Sequence, residues 1–175
     1  MQNRNINILF MNNFKIALVL ILISQLARAT EFKLEFIKPR DLNIELKLYE
    51  LNPISFAKAV GTQGELVTDE QLEKPKPIKN FTFKLGPADG KVLALVAENK
   101  TAKDIEFFVS PHESNPSEFS LDFKFNCLCY SHIYKIKSKK KWYRIMRLQR
   151  TDDEISARTV RLKHTIVKWN PKDKH

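Results

Sequence analysis

From Thr30 onward, apolar residues alternate with polar ones in short runs, and this period of two narrows the chain to folds built from strands. Glu31-Phe32-Lys33-Leu34-Glu35-Phe36-Ile37-Lys38 sets Phe32, Leu34 and Phe36 on one face, because successive side chains of an extended strand point to opposite sides. Asn43-Ile44-Glu45-Leu46-Lys47-Leu48-Tyr49-Glu50 repeats the pattern, and Asn52-Pro53 ends it. Asn80-Phe81-Thr82-Phe83-Lys84-Leu85 is a further run, closed by the turn-forming Gly86-Pro87-Ala88-Asp89-Gly90. Residues 91–98 are apolar on both faces, as a central strand is. Later runs cover 104–109, 121–129, 130–136 and 142–148, the last with Trp142, Met146 and Leu148 on one face. A final run, 159–167, aligns Val160, Leu162, His164 and Ile166, which makes His164 a satisfied core histidine. Residues 53–79 read as a long surface connection, because Lys74-Pro75-Lys76-Pro77 must be extended. The expected fold is all-β, an immunoglobulin-like β-sandwich of about seven to nine strands.

The segment before Thr30 reads as a signal peptide, residues 1–29. Lys15 precedes the apolar run Ile16-Ala17-Leu18-Val19-Leu20-Ile21-Leu22-Ile23, and Ala27-Arg28-Ala29 supplies a cleavage site. The run is roughly eight residues long, against roughly 20 for a spanning helix. Cleavage after Ala29 is therefore expected, leaving 30–175 as one β-sandwich domain, a length that can bury a core. The chain is then exported to the periplasm, or held at the inner membrane if the segment is retained. Losing Arg4, Lys15 and Arg28 takes three positive charges from a net +10 and leaves +7.

That charge suits an anionic membrane surface or an acidic partner, and an exported chain gives no reason to expect nucleic acid. The basic residues Lys137, Lys139, Lys140, Lys141, Arg144, Arg147 and Arg150 surround Trp142 and Tyr143. They form a candidate membrane-contacting face, Lys137 to Arg150. A solvated strand edge guarded by lysines produces the same pattern.

The chemistry-bearing stretch is Phe123-Lys124-Phe125-Asn126-Cys127-Leu128-Cys129-Tyr130-Ser131-His132, which holds the chain's two cysteines. On a continuous strand, Phe123, Phe125, Cys127 and Cys129 share one face. Three readings are open. Soft thiolates two residues apart can converge on copper(I). Buried cysteines can pack as small apolar residues. An exported pair can form a disulfide, although two residues of strand separate the Cα atoms by about 6.7 Å, so a Cys-x-Cys bridge needs a bend. His132 is the nearest third ligand, and joins only if the chain turns at Tyr130-Ser131. His112, in the loop before the strand, could fold over it.

Ala97-Glu98-Asn99-Lys100-Thr101, then Ser110-Pro111, then Phe123-Lys124-Phe125-Asn126-Cys127-Leu128-Cys129-Tyr130 resemble the CtaG-type copper-assembly proteins of cytochrome c oxidase. Those proteins carry an A-x-N-x-[ST] strand, a proline loop and a C-F-C-F motif on an immunoglobulin-like periplasmic domain. The resemblance implies that Cys127 and Cys129 bind copper(I) and pass it to a membrane oxidase subunit. This chain departs from the family after the motif, where Ser131-His132 and a lysine-rich turn follow.

The expectation is a copper(I)-binding and transfer protein with metal ligands Cys127, Cys129 and His132, and two chains could share a metal as a homodimer. The rival is a non-catalytic interaction module that uses its basic face. A third reading makes the thiol pair a reductant for another copper site. Enzyme readings find no support: two thiols and one nearby histidine do not specify a nucleophile and base, and four glycines form no phosphate loop.

Overall fold

The structure, a computed structural model, describes residues 29–52, 59–120, 123–128, 132–151 and 159–170. The expected signal peptide lies outside these residues save for Ala29, and so does Cys129. No helix among the described residues is long and apolar enough to cross a membrane.

Twelve strands form among the described residues: β1 (Thr30–Ile37), β2 (Ile44–Leu51), β3 (Gln63–Leu66), β4 (Lys76–Pro77), β5 (Thr82–Leu85), β6 (Gly90–Asn99), β7 (Ile105–Val109), β8 (Glu113–Asn115), β9 (Phe123–Asn126), β10 (Tyr134–Ile136), β11 (Lys141–Arg150) and β12 (Thr159–Lys168). One sheet runs β10-β7-β12-β1-β5 with β8 beside β12, and the other runs β3-β11-β6-β2-β4 with β9 beside β11. β1 and β12 are parallel, which sets Phe36 opposite His164. The β-sandwich is as expected. The count exceeds nine because β3, β4 and β8 lie in stretches with no apolar alternation to announce them.

The inner faces of both sheets meet in one core. Phe32, Leu34, Phe107, Val160 and Leu162 from the first sheet pack with Leu48, Leu95, Trp142, Met146 and Leu148 from the second. Burying each such side chain stabilises the fold by about 1.5–3 kcal/mol. β6 is apolar on both faces for a second reason. Val92, Ala94 and Val96 on its outer side join Tyr49, Leu51 and Ile145 in a smaller cluster, covered by Leu66 and Leu72. The connection expected to lie loosely on the surface is, in its described part, the lid of this cluster.

β11 is flanked by β6 on one side and by β3 and β9 on the other, so it is not a sheet edge. Its even-numbered residues point inward. Arg144 and Arg150, counted in the basic face from the sequence, are therefore buried with Trp142 and Met146. Lys137 and Lys140 pair with Glu65. The exposed basic surface is that much smaller.

Asn99 shows why the Ala97-Glu98-Asn99-Lys100-Thr101 stretch matters. Its side-chain Nδ2 donates to the carbonyls of Lys103, Ile136 and Lys137, and its Oδ1 accepts from the amide and hydroxyl of Thr101. One buried amide thus ties the end of β6 to the end of β10 and to the turn that leads into β7. Asn99→Leu is expected to lower stability by about 2–4 kcal/mol, because several buried carbonyls lose their donor. Urea denaturation checks this, and a loss under about 0.5 kcal/mol would mean that water takes over the bonds.

Candidate metal centre

β9 stops at Asn126, earlier than the alternation suggests, and the chain bends at Leu128. Cys127 and Leu128 are both buried, so the one-faced cysteine stripe does not continue. The physical cause is local. Leu128 takes a place in the main core. The Tyr134 hydroxyl donates to the Leu128 carbonyl at 2.9 Å, and Arg144 Nε donates to the Cys127 carbonyl at 3.3 Å. The guanidinium lies 5.9 Å from the Tyr134 ring centroid. Two buried side chains from β10 and β11 therefore hold the backbone of the bend. Burial also pushes the Tyr134 hydroxyl's pKa up, keeping it a donor, with Arg144 opposing.

Cys127 is disulfide-bonded. The sequence supplies one other cysteine, Cys129. Of the three sequence readings, the disulfide is the state this structure holds, and the bend it requires is present. A disulfide sulfur carries no thiolate charge, so metal ligation through Cys127 requires its reduction first.

Two histidines meet at this sulfur. Nδ1 of His112, from the loop between β7 and β8, lies 3.7 Å from Sγ of Cys127. His164 reaches in from β12. One ligand atom from each of His112, Cys127 and His164 falls within 4.8 Å of the others. The imidazoles stand 5.6 Å apart, centre to centre, at 45°. Phe36 stacks on His164 at 5.0 Å, Phe125 meets it edge-on at 5.7 Å, and Phe123 and Phe125 contact His112. The donor cluster is thus flanked by phenylalanines, with His112, Phe36 and Phe125 half-buried.

His164 is 0% exposed, and neither of its ring nitrogens has a hydrogen-bond partner of ordinary geometry. It is buried, as the strand pattern indicates, but it is not satisfied. Burial drives its pKa down to about 4, with the neighbouring His112 adding to the fall and the Leu162 backbone opposing it. Burial also lowers the pKa of His112. Both imidazoles are therefore neutral at pH 7, which is the form that ligates metals.

His132 does not join this cluster. It is exposed, rests edge-on against Tyr134 at 5.3 Å, and lines an open groove of about 460 Å³ with Glu65, Lys137 and Trp142. His112 was visible from the sequence as a loop residue near the cysteines. His164 has its own signal in the sequence, a histidine among Val160, Leu162 and Ile166, since a buried polar group is more informative than an exposed apolar one.

Residues 33–169 match the profile of a family described as a domain of unknown function (DUF8709). No curated protein and no solved structure matches the chain.

Proposed function

The chain belongs to that family, DUF8709, and we propose that this member is an exported copper(I)-binding protein that holds and hands on copper through its Cys-x-Cys segment. The role is binding and transfer rather than catalysis. The observation that carries the reading is the meeting of His112, Cys127 and His164 within 4.8 Å. Thiolate and imidazole donors without a carboxylate among them suit copper or zinc rather than magnesium or calcium. The ring nitrogens of His164 supply the fit: a buried imidazole whose nitrogens lack a hydrogen-bond partner of ordinary geometry is one that a metal would complete.

Cargo can be taken up only after the disulfide accepts two electrons and two protons from an external dithiol, which is itself oxidised to a disulfide. Cys127 and Cys129 then both offer thiolates, and binding releases their protons. A copper-accepting membrane oxidase subunit is the partner that the CtaG resemblance suggests, and a second copy of the chain sharing the metal as a homodimer is a further partner.

The test is anaerobic copper(I) titration of the purified chain against a competing chelator. Reduced protein is expected to bind stoichiometrically. Oxidised protein and the reduced Cys127→Ser/Cys129→Ser variant are expected not to compete. If reduced wild-type protein leaves the chelator's copper untouched, the copper reading is lost.

A second reading, a non-catalytic interaction module, is favoured by one observation: Cys127 is 4% exposed and already disulfide-bonded. It predicts that oxidised and reduced protein ignore copper alike, and that anionic vesicles or an acidic protein bind in a salt-dependent way.

A further inference from the structure

We infer that reduced Cys127 joins His112 and His164 in a trigonal His2Cys centre that holds copper in both its oxidised and its reduced states. This rests on the proposed copper binding, but it assigns a different ligand set from the Cys127–Cys129 pair. It makes the site competent to exchange one electron rather than only to carry copper(I).

Three observations point there. The donors are two imidazoles and one sulfur, with one ligand atom from each within a 4.8 Å group. Paired thiolates favour copper(I) alone, whereas imidazole also suits copper(II), and a His2Cys trigonal set is that of electron-transfer copper. Second, His164 is mounted on a strand that is paired on both sides. β12 pairs with β1 along Thr159–Thr165 and with β7 and β8 on its other side. A ligand on such a strand keeps its geometry when the ion changes charge. His164 is also fully buried, and among the described residues neither ring nitrogen has a hydrogen-bond partner of ordinary geometry, while a ligand atom of its ring lies in the cluster. Third, Phe36, Phe123 and Phe125 wall the imidazoles. An apolar shell of this kind excludes water and tunes a bound metal's potential.

The site draws on both sheets. His164 comes from β12 of the first sheet and His112 from the loop joining that sheet's β7 and β8. Cys127 follows β9 of the second. In the oxidised chain the sulfur is engaged in its disulfide, and reduction frees it beside the two imidazoles. The one-electron step is then simple in balance: copper(II) gains an electron from an external one-electron donor and becomes copper(I), with no bond to the protein made or broken.

Cys129→Ser isolates this centre, because it prevents the Cys127 disulfide and deletes the second thiolate. Copper(II) added to the full-length Cys129→Ser chain is expected to give an intense visible thiolate-to-copper charge-transfer band saturating at one copper per chain. Ascorbate should bleach the band, and a mild oxidant should restore it. Cys127→Ser/Cys129→Ser should show no band. His164→Leu and His112→Phe, each made in Cys129→Ser, should weaken copper binding by more than the roughly 10–100-fold typical of losing an outer-shell partner. Circular dichroism confirms that each variant is folded.

A missing band in folded Cys129→Ser overturns the inference, as does a band that survives His164→Leu. Wild-type copper(I) titration separates the two proposals. Tight copper(I) binding with no band in Cys129→Ser leaves the thiol-pair carrier and removes the His2Cys centre. Because the His2Cys centre also holds copper(I), reduced wild type that binds no copper(I) overturns both proposals.

Discussion

Arg144→Leu is expected to lower stability by about 2–4 kcal/mol and to loosen the cysteine bend. Arg144 is 7% exposed, on the inward face of β11 between Trp142 and Met146. Besides the Cys127 carbonyl, its Nη1 donates to the Gly61 carbonyl at 3.1 Å and to Gln63 Oε1 at 3.3 Å. The side chain therefore joins the stretch leading into β3, the segment after β9, and the Tyr134 ring. A hydrogen bond to a charged group contributes about 1.5–3 kcal/mol, and a buried carbonyl left without a donor costs about 1–3 kcal/mol. Relief from desolvating the guanidinium offsets part of this, which keeps the total below the plain sum. Lysine is a poor replacement, because an ammonium cannot span two carbonyls in the fixed fork of a guanidinium. Urea denaturation gives the stability change. The rate at which a dithiol reduces Cys127 reports the bend, and it should rise in Arg144→Leu even under strongly native conditions. An unchanged reduction rate would show that Tyr134 alone holds the segment.

The metal-free chain is expected to lose about 3 kcal/mol of stability as pH falls from 6.5 to about 4, and His164→Leu should remove most of that slope. The folded pKa of His164, about 4, lies below the ordinary 6.5. Between those values the unfolded chain binds a proton that the folded chain refuses, so stability is full above pH 6.5 and declines toward pH 4. At 1.36 kcal/mol per pKa unit the difference amounts to about 3 kcal/mol. The groups facing His164 are His112, whose own lowered pKa acts in the same direction, and the apolar Phe36 and Phe125. Carboxylates interfere little in the upper part of this window. Asp41 and Glu45 are hydrogen-bonded by Lys168 and Lys100 and held below their ordinary 3.8 and 4.5, so their contributions are lost only below about pH 4.5. At pH 7 the Leu variant should be more stable than the wild type by about 1 kcal/mol, because two desolvated nitrogens without partners are gone. A variant that gains stability while losing copper has the signature of a residue kept for binding rather than for folding. The slope between pH 6.5 and 4.5 decides the matter: an unchanged slope in His164→Leu assigns it to other groups.

Most of the strand content was legible in the chain itself, because the signal is local. The alternations of residues 31–38 and 159–167 became β1 and β12, and the two-sided apolar run of 91–98 became the central β6. The short strands were less visible. β3 and β8 owe their conformation to partners elsewhere, Lys141–Arg144 of β11 and Arg161–Lys163 of β12 respectively, and not to their own residues. Arg144 and Arg150 read as surface charge because arginine rarely goes inside without partners. Those of Arg144 include two backbone carbonyls, which no sequence pattern displays.

The candidate site divides the same way. The sequence alone singles out Cys127 as a candidate, since the chain's two cysteines stand out by type and spacing. It also places His164 on an apolar face, since period two assigns the face. Neither spacing nor period says that those residues meet. Their meeting depends on β12 lying parallel to β1, on the β7–β8 loop turning His112 over the sulfur, and on the chain bending at Leu128 instead of continuing as a strand. Each of these is a contact between distant segments, decided by which faces pack together. That is why His112 and His164, and not the sequence-adjacent His132, stand beside Cys127.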